Sequence, residues 1–106
     1  MSTINFFTVY RNIEKIMTLP FEQIRVAENS FIRKFSSHLE SEELYWHKDK
    51  RDRVIEVISG SGWMYQEENK LPVELFPGHV FSIKKETWHR VIRGSDDLSI
   101  LIREGS

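Results

Sequence analysis

The chain contains no cysteine. No disulfide can brace it, and any metal it binds must be held through nitrogen and oxygen rather than thiolate sulfur, which suits a reducing compartment. Nor does either charge dominate: 15 Lys and Arg against 16 Asp and Glu leave a formal net charge of -1, which argues against nonspecific nucleic-acid binding. Long apolar runs are missing too. The segment Ile4 to Tyr10 is interrupted by Asn5 and runs into Arg11, so it reads as neither a signal peptide nor a membrane span, and a cytoplasmic protein is expected. No linker, repeat or low-complexity tract divides the 106 residues. A single domain over 1–106 is therefore expected, burying about two thirds of its unfolded surface.

What is present is a series of short β-type segments. Gln23 to Ala27 alternates polar and apolar residues as a half-buried strand does, Glu28-Asn29-Ser30 turns the chain, and Phe31 to Phe35 forms a second strand. Residues 4–17 fit either a strand and turn or a short amphipathic helix. Ser36 to Glu43 reads as a polar connection whose glutamates Glu40, Glu42 and Glu43 are solvated, with His38 as a surface histidine. Further strands are expected at 53–58, 63–66, 72–75, 80–83, 88–93 and 98–102, separated by Gly60-Ser61-Gly62, Glu67 to Lys70 and Pro77-Gly78. So many short strands without a long helix predict an all-β antiparallel sandwich or barrel.

The run from Trp46 to Gly62, answered by Pro77-Gly78 and Thr87-Trp88-His89, carries the chemistry. A histidine, then a strand ending in Gly-x-Gly, then Pro-Gly, a further strand and a late histidine resemble the two-motif pattern of the cupin superfamily over about 44–102. Strands from 4–35 would be amino-terminal additions. The resemblance implies a jelly-roll β-barrel, a double-stranded β-helix of the RmlC-like type, that commonly holds a divalent metal through three histidines and a glutamate. On this chain it carries His47, Gly60, Gly78 and His89. It departs where Asp49 stands for a histidine, Arg53 for the glutamate, and Lys84 and Glu86 for a proline and a glycine. Small cupins often pair through amino-terminal strands, which implies a homodimer built on Phe6, Phe7, Val9 and Tyr10.

Alternation along strands puts His47 and Asp49 on one face and His89, Val91 and Arg93 on another, with Trp46 and Trp88 opposed. His47-x-Asp49, followed after 39 residues by His89, has the two-His, one-carboxylate composition of facial-triad metal sites. It is similar to the His-x-Asp…His set of 2-oxoglutarate-dependent oxygenases. His47, Asp49 and His89 are thus the expected metal ligands, for Fe, Mn, Ni or Zn. The competing reading is a metal-free mouth in which the histidines hydrogen-bond and Asp49 pairs with a neighbouring cation.

Arg53 sharpens the choice. Turned inward about 5 Å from a dication, it would cost on the order of 7 kcal/mol at an effective dielectric of about 20. It must therefore turn away or share an anion with the metal. Arg53 and Arg93 are the expected anion-binding residues for a small acidic molecule, because planar guanidinium groups grip carboxylate or phosphate in pairs of bonds. Trp63 and Tyr65 share a strand face and form either core or an aromatic wall. Two functions follow: a metal-dependent oxygenase or isomerase/lyase, or a non-catalytic module that binds a small molecule.

Overall fold

In a computed structural model, residues 21–38, 40 and 42–105 are described. The segment 4–17 and the expected pairing surface at Phe6, Phe7, Val9 and Tyr10 lie outside them. The described chain forms β1 (Phe21–Ala27), β2 (Ser30–Phe35), a 3-10 turn (Glu42–Leu44), β3 (Arg53–Ser59), β4 (Met64–Glu67), β5 (Val73–Glu74), β6 (Val80–Ile83), β7 (His89–Ile92) and β8 (Leu98–Glu104). These bounds lie within one or two residues of the expected ones at every strand. Among the described residues no helix is long and apolar enough to cross a membrane.

Among the described residues every strand pair is antiparallel. One sheet runs β1-β2-β8-β3-β6 and the other β5-β4-β7. An isolated bridge from His47 to His89 adds the chain around His47 beyond β7. The chain passes back and forth between the sheets in the order of a jelly roll, with β1 outermost among the described strands of its sheet. Between β5 and β6 the sheets do not join, so the barrel is open along that side.

Alternation fills the interior. On β8, Leu98, Ile100 and Ile102 are buried, and in register with them on β3 stand Val57 and Ile55. Trp63 lies among these core residues, its indole N–H donated to the Asp96 carbonyl. Gly94 allows that packing, since a Cβ there would collide with Trp63 and Ser61. The apolar layer gives way at one end to charge, where the same inward rows finish in Arg53 and Glu104, which face each other in register.

β1 reverses the expected facing. Its apolar residues Ile24 and Val26 are half exposed, while Gln23 is buried. The register explains this: Gln23 sits opposite Arg33, and Arg33 points inward beside Phe35 on β2. A buried guanidinium needs acceptors, and Gln23 Oε1 receives the Arg33 Nε–H at 2.7 Å.

Candidate metal centre

The charged end of the barrel is built from three short pieces of chain. The 3-10 turn presents Glu43, the bridging segment presents His47 and Asp49, and the start of β7 presents His89. Backbone bonds lock the last two pieces: His47 N–H donates to the His89 carbonyl at 3.0 Å, and His89 N–H to the His47 carbonyl at 2.8 Å. On the outer face, Arg90 lies over the Trp46 ring and Lys48 over Trp88. Those two cation–aromatic pairs flank the bridge and support the same registry. The imidazole rings inside are consequently close, with centroids 4.3 Å apart.

Each imidazole is held in the same way. His47 Nδ1 is 2.8 Å from the Tyr45 carbonyl, and His89 Nδ1 is 2.8 Å from the Thr87 carbonyl. A carbonyl only accepts, so each Nδ1 carries the proton and each neutral ring turns a bare Nε2 lone pair inward. Metal-ligating histidines are fixed in this manner. Glu43 Oε1 stands 2.7 Å from His47 Nε2, and Asp49 Oδ2 stands 3.2 Å from His89 Nε2.

Lone pair facing carboxylate is repulsive unless a cation lies between them. Both His47 Nε2 and Asp49 Oδ2 are buried without an aligned hydrogen-bond partner, despite those short separations. One ligand atom each from Glu43, His47 and His89 lies within 4.8 Å of the others, a group able to hold a metal ion. Without a metal, a proton must serve. Burial works against the His47 imidazolium, but Glu43 outweighs it and holds the His47 pKa above the ordinary value. Burial likewise opposes the Glu43 and Asp49 carboxylates. His47 and Arg33 keep the pKa of Glu43 low, and His89 and Arg53 do the same for Asp49.

Behind each carboxylate stands an inward arginine, Arg33 buried and Arg53 partly so. Arg33 Nη1 donates to Glu43 Oε2 at 3.2 Å. Arg53 Nη1 lies 3.3 Å from Asp49 Oδ2, and its Nε and Nη2 donate to Glu104 Oε2 at 3.1 and 3.0 Å. Arg53 thus does point inward, as the sequence raised, and two carboxylates offset its charge.

Arg93 goes elsewhere: it donates to the Ser37 carbonyl and to Glu40, tying down the connection. Tyr65 reaches the centre, its ring 5.7 Å from that of His89 and its hydroxyl donated to Glu67, and burial raises its pKa. Trp63 is 1% exposed in the core, whereas Tyr65 borders a small cavity beside His89.

One expectation is corrected outright. Glu43 is not a solvated residue of a polar connection, since its side chain is 18% exposed and wedged between His47 and Arg33. The 3-10 turn rotates it inward, and its spacing of four from His47 brings the two together. Glu40 is exposed, as expected. The sequence also hid Arg33, Gln23 and Glu104. A signal existed for Arg33 and Glu104, because both continue apolar inward rows, Phe31-x-Arg33-x-Phe35 and Leu98-x-Ile100-x-Ile102-x-Glu104.

No protein-family model and no curated protein matches the sequence. Solved structures do. A cupin-2 domain containing protein from Shewanella frigidimarina superposes with a TM-score of 0.60 at 16% identity, covering 91% of this chain and 92% of the other. KdgF from Halomonas sp. gives 0.63 at 19% identity, over 82% of each chain. A structure from the DMSP lyases RdDddP and RnDddQII gives 0.62 at 17% identity over 73% of this chain, which spans only 37% of that one. Two sheets in jelly-roll order, a histidine pair joined across strands at one end and these superpositions together identify the fold: the chain is a cupin fold.

Proposed function

We propose that this protein binds one divalent metal through His47, His89 and Glu43, with Asp49 as the second carboxylate of the set, and acts there on a small carboxylic acid. The observation that carries the reading is the pair of inward Nε2 atoms, each facing a carboxylate with no aligned hydrogen bond at His47 Nε2 or Asp49 Oδ2. Nitrogen and oxygen donors of this kind suit Fe, Mn, Ni or Zn. When bound, such a metal supplies Lewis acidity or an activated water.

The residues around it set the charge. Arg33 and Arg53 face Glu43, Asp49 and Glu104, which leaves one negative charge when both imidazoles are neutral. A dication reverses this to one positive charge, and a single substrate carboxylate restores neutrality. That balance favours a monoanionic acid over a neutral substrate. Lyase or isomerase chemistry is the preferred class, supported by the likeness to a DMSP lyase structure and by a centre with two carboxylates that can move protons.

Elemental analysis of untagged protein tests the metal. Wild type is expected to carry near-stoichiometric metal, lost in both His47→Ala and His89→Ala. Wild-type protein that neither carries metal nor takes up Fe(II) or Zn(II) would leave the barrel as a metal-free, non-catalytic binding module.

A further inference from the structure

The cavity beside His89 has a volume of about 30 Å³, room for about two water molecules. No organic acid fits there. Room for one lies in a solvent-open cleft of about 280 Å³ bordered by Tyr65, Glu67, Lys70, Val73, His79 and Phe81.

This cleft is barrel interior left uncovered. Val73 pairs in register with the buried Tyr65 and therefore faces inward. It is nonetheless 48% exposed, because β5 and β6 do not meet. Phe81 alternates with the buried Ile83 on β6 and faces the same space. The Tyr65 and Phe81 rings lie 4.8 Å apart, and both residues border the small cavity as well as the cleft. That ring pair stands between the cleft and the centre. Glu67, at the end of the cleft, is the cross-strand partner of His89. Lys70 pairs with Glu67 at 3.1 Å and is well exposed, so the rim carries no net charge and its ammonium is free to turn toward an anion at little cost.

We propose that the β5–β6 cleft holds the body of a small carboxylic acid whose carboxylate points past Tyr65 and Glu67 toward the histidine pair, with Val73 and Phe81 setting the size and apolarity accepted. The inference rests on the metal reading for its direction. Without the positive charge of a loaded centre, the carboxylate has only Lys70 to meet. The walls, Leu71, Val73 and Phe81, suit a ring or branched chain rather than a polyol.

The test uses benzoate as probe on the full chain, metal-free and Zn(II)-loaded, followed by amide NMR shifts. Loaded wild-type protein is expected to show saturable shifts at Val73, His79 and Phe81, with affinity about tenfold tighter than the metal-free form. Val73→Trp fills the cleft from an exposed edge position. It is expected to weaken benzoate at least about tenfold while zinc affinity stays within about twofold of wild type. Benzoate binding unchanged in Val73→Trp, shifts confined to other residues, or no saturable shift in loaded protein would overturn the inference while leaving the metal reading intact. If the protein takes up no zinc, the metal reading fails. The cleft is then judged on metal-free protein, where shifts lost in Val73→Trp retain it as an acid site and their absence removes it.

Discussion

Two arms reach the histidine pair, and they are built alike but charged differently. In one, Gln23 accepts from Arg33, which donates to Glu43, which faces His47. In the other, Glu104 accepts from Arg53, which faces Asp49, which meets His89. The first arm ends in a neutral amide and is electrically balanced. The second ends in a carboxylate and carries the excess negative charge. Orientation therefore dominates the first arm and charge the second. The contact is shorter in the first arm, 2.7 Å to His47 against 3.2 Å to His89, and under the proposed metal reading Glu43 is the primary carboxylate.

Breaking the arms at their carboxylates should give the largest difference. Glu43→Gln is expected to weaken zinc by about 100-fold and Asp49→Asn by about tenfold, measured by competition with a chromophoric chelator. Equal losses would make the two arms equivalent and return Asp49 to the role its sequence position suggested.

Acid should act through His47. In metal-free protein its raised pKa means that it holds a proton which metal must displace, so apparent zinc affinity should fall about tenfold per pH unit below that value. Stability follows the same groups. The His47 contribution is complete below the ordinary imidazole pKa and disappears as pH rises through the raised one. The Glu43 and Asp49 contributions are present above the ordinary carboxylate range and disappear as pH falls through their lowered values. Metal-free protein should therefore melt highest between the ordinary carboxylate and imidazole ranges and lose stability as pH rises above the ordinary imidazole pKa. Zinc should abolish the loss on the alkaline side, as thermal melts with and without metal would show.

The far ends of the arms come next. Glu104→Gln removes a charge and should weaken zinc about tenfold, more at low salt than at high. Gln23→Leu removes only an orienting acceptor and should cost about threefold at any salt. Calorimetric titrations at two salt concentrations separate the two, and identical salt dependence would refute the distinction.

The smallest effect concerns Glu86, which occupies the position where a glycine is usual in the resemblance. Its backbone keeps the glycine conformation, with φ at 63°, and its N–H donates to the Asp49 carbonyl. Glu86→Gly should stabilise the protein by about 0.5–1 kcal/mol, readable in urea midpoints, since relief of left-handed strain exceeds the entropy glycine adds to the unfolded chain.

Much of this was legible in the residues. Strand periodicity and glycine turns predicted β1 to β8 and the antiparallel barrel, and the motif spacing singled out His47, Asp49 and His89, which lie together at one end of it. Pattern failed where a side chain's direction depends on tertiary pairing. Glu43 lies in a polar stretch that looks solvated until a 3-10 turn aims it inward. Ile24 and Val26 look like a core face until Gln23 is claimed by Arg33. Arg53 and Arg93 look equivalent, yet register places the first opposite Glu104 and the second beside the 36–44 connection. Charges on inward rows were the readable clue, and they mark the end of the barrel where the centre lies.

The decisive experiment is zinc titrated into metal-free protein near about pH 6, below the ordinary imidazole pKa, in buffers of different ionisation enthalpy. The arrangement at His47 predicts one zinc per chain with release of about one proton, both lost in His47→Ala. Absence of zinc binding, or binding with no proton released and no dependence on His47, would contradict it.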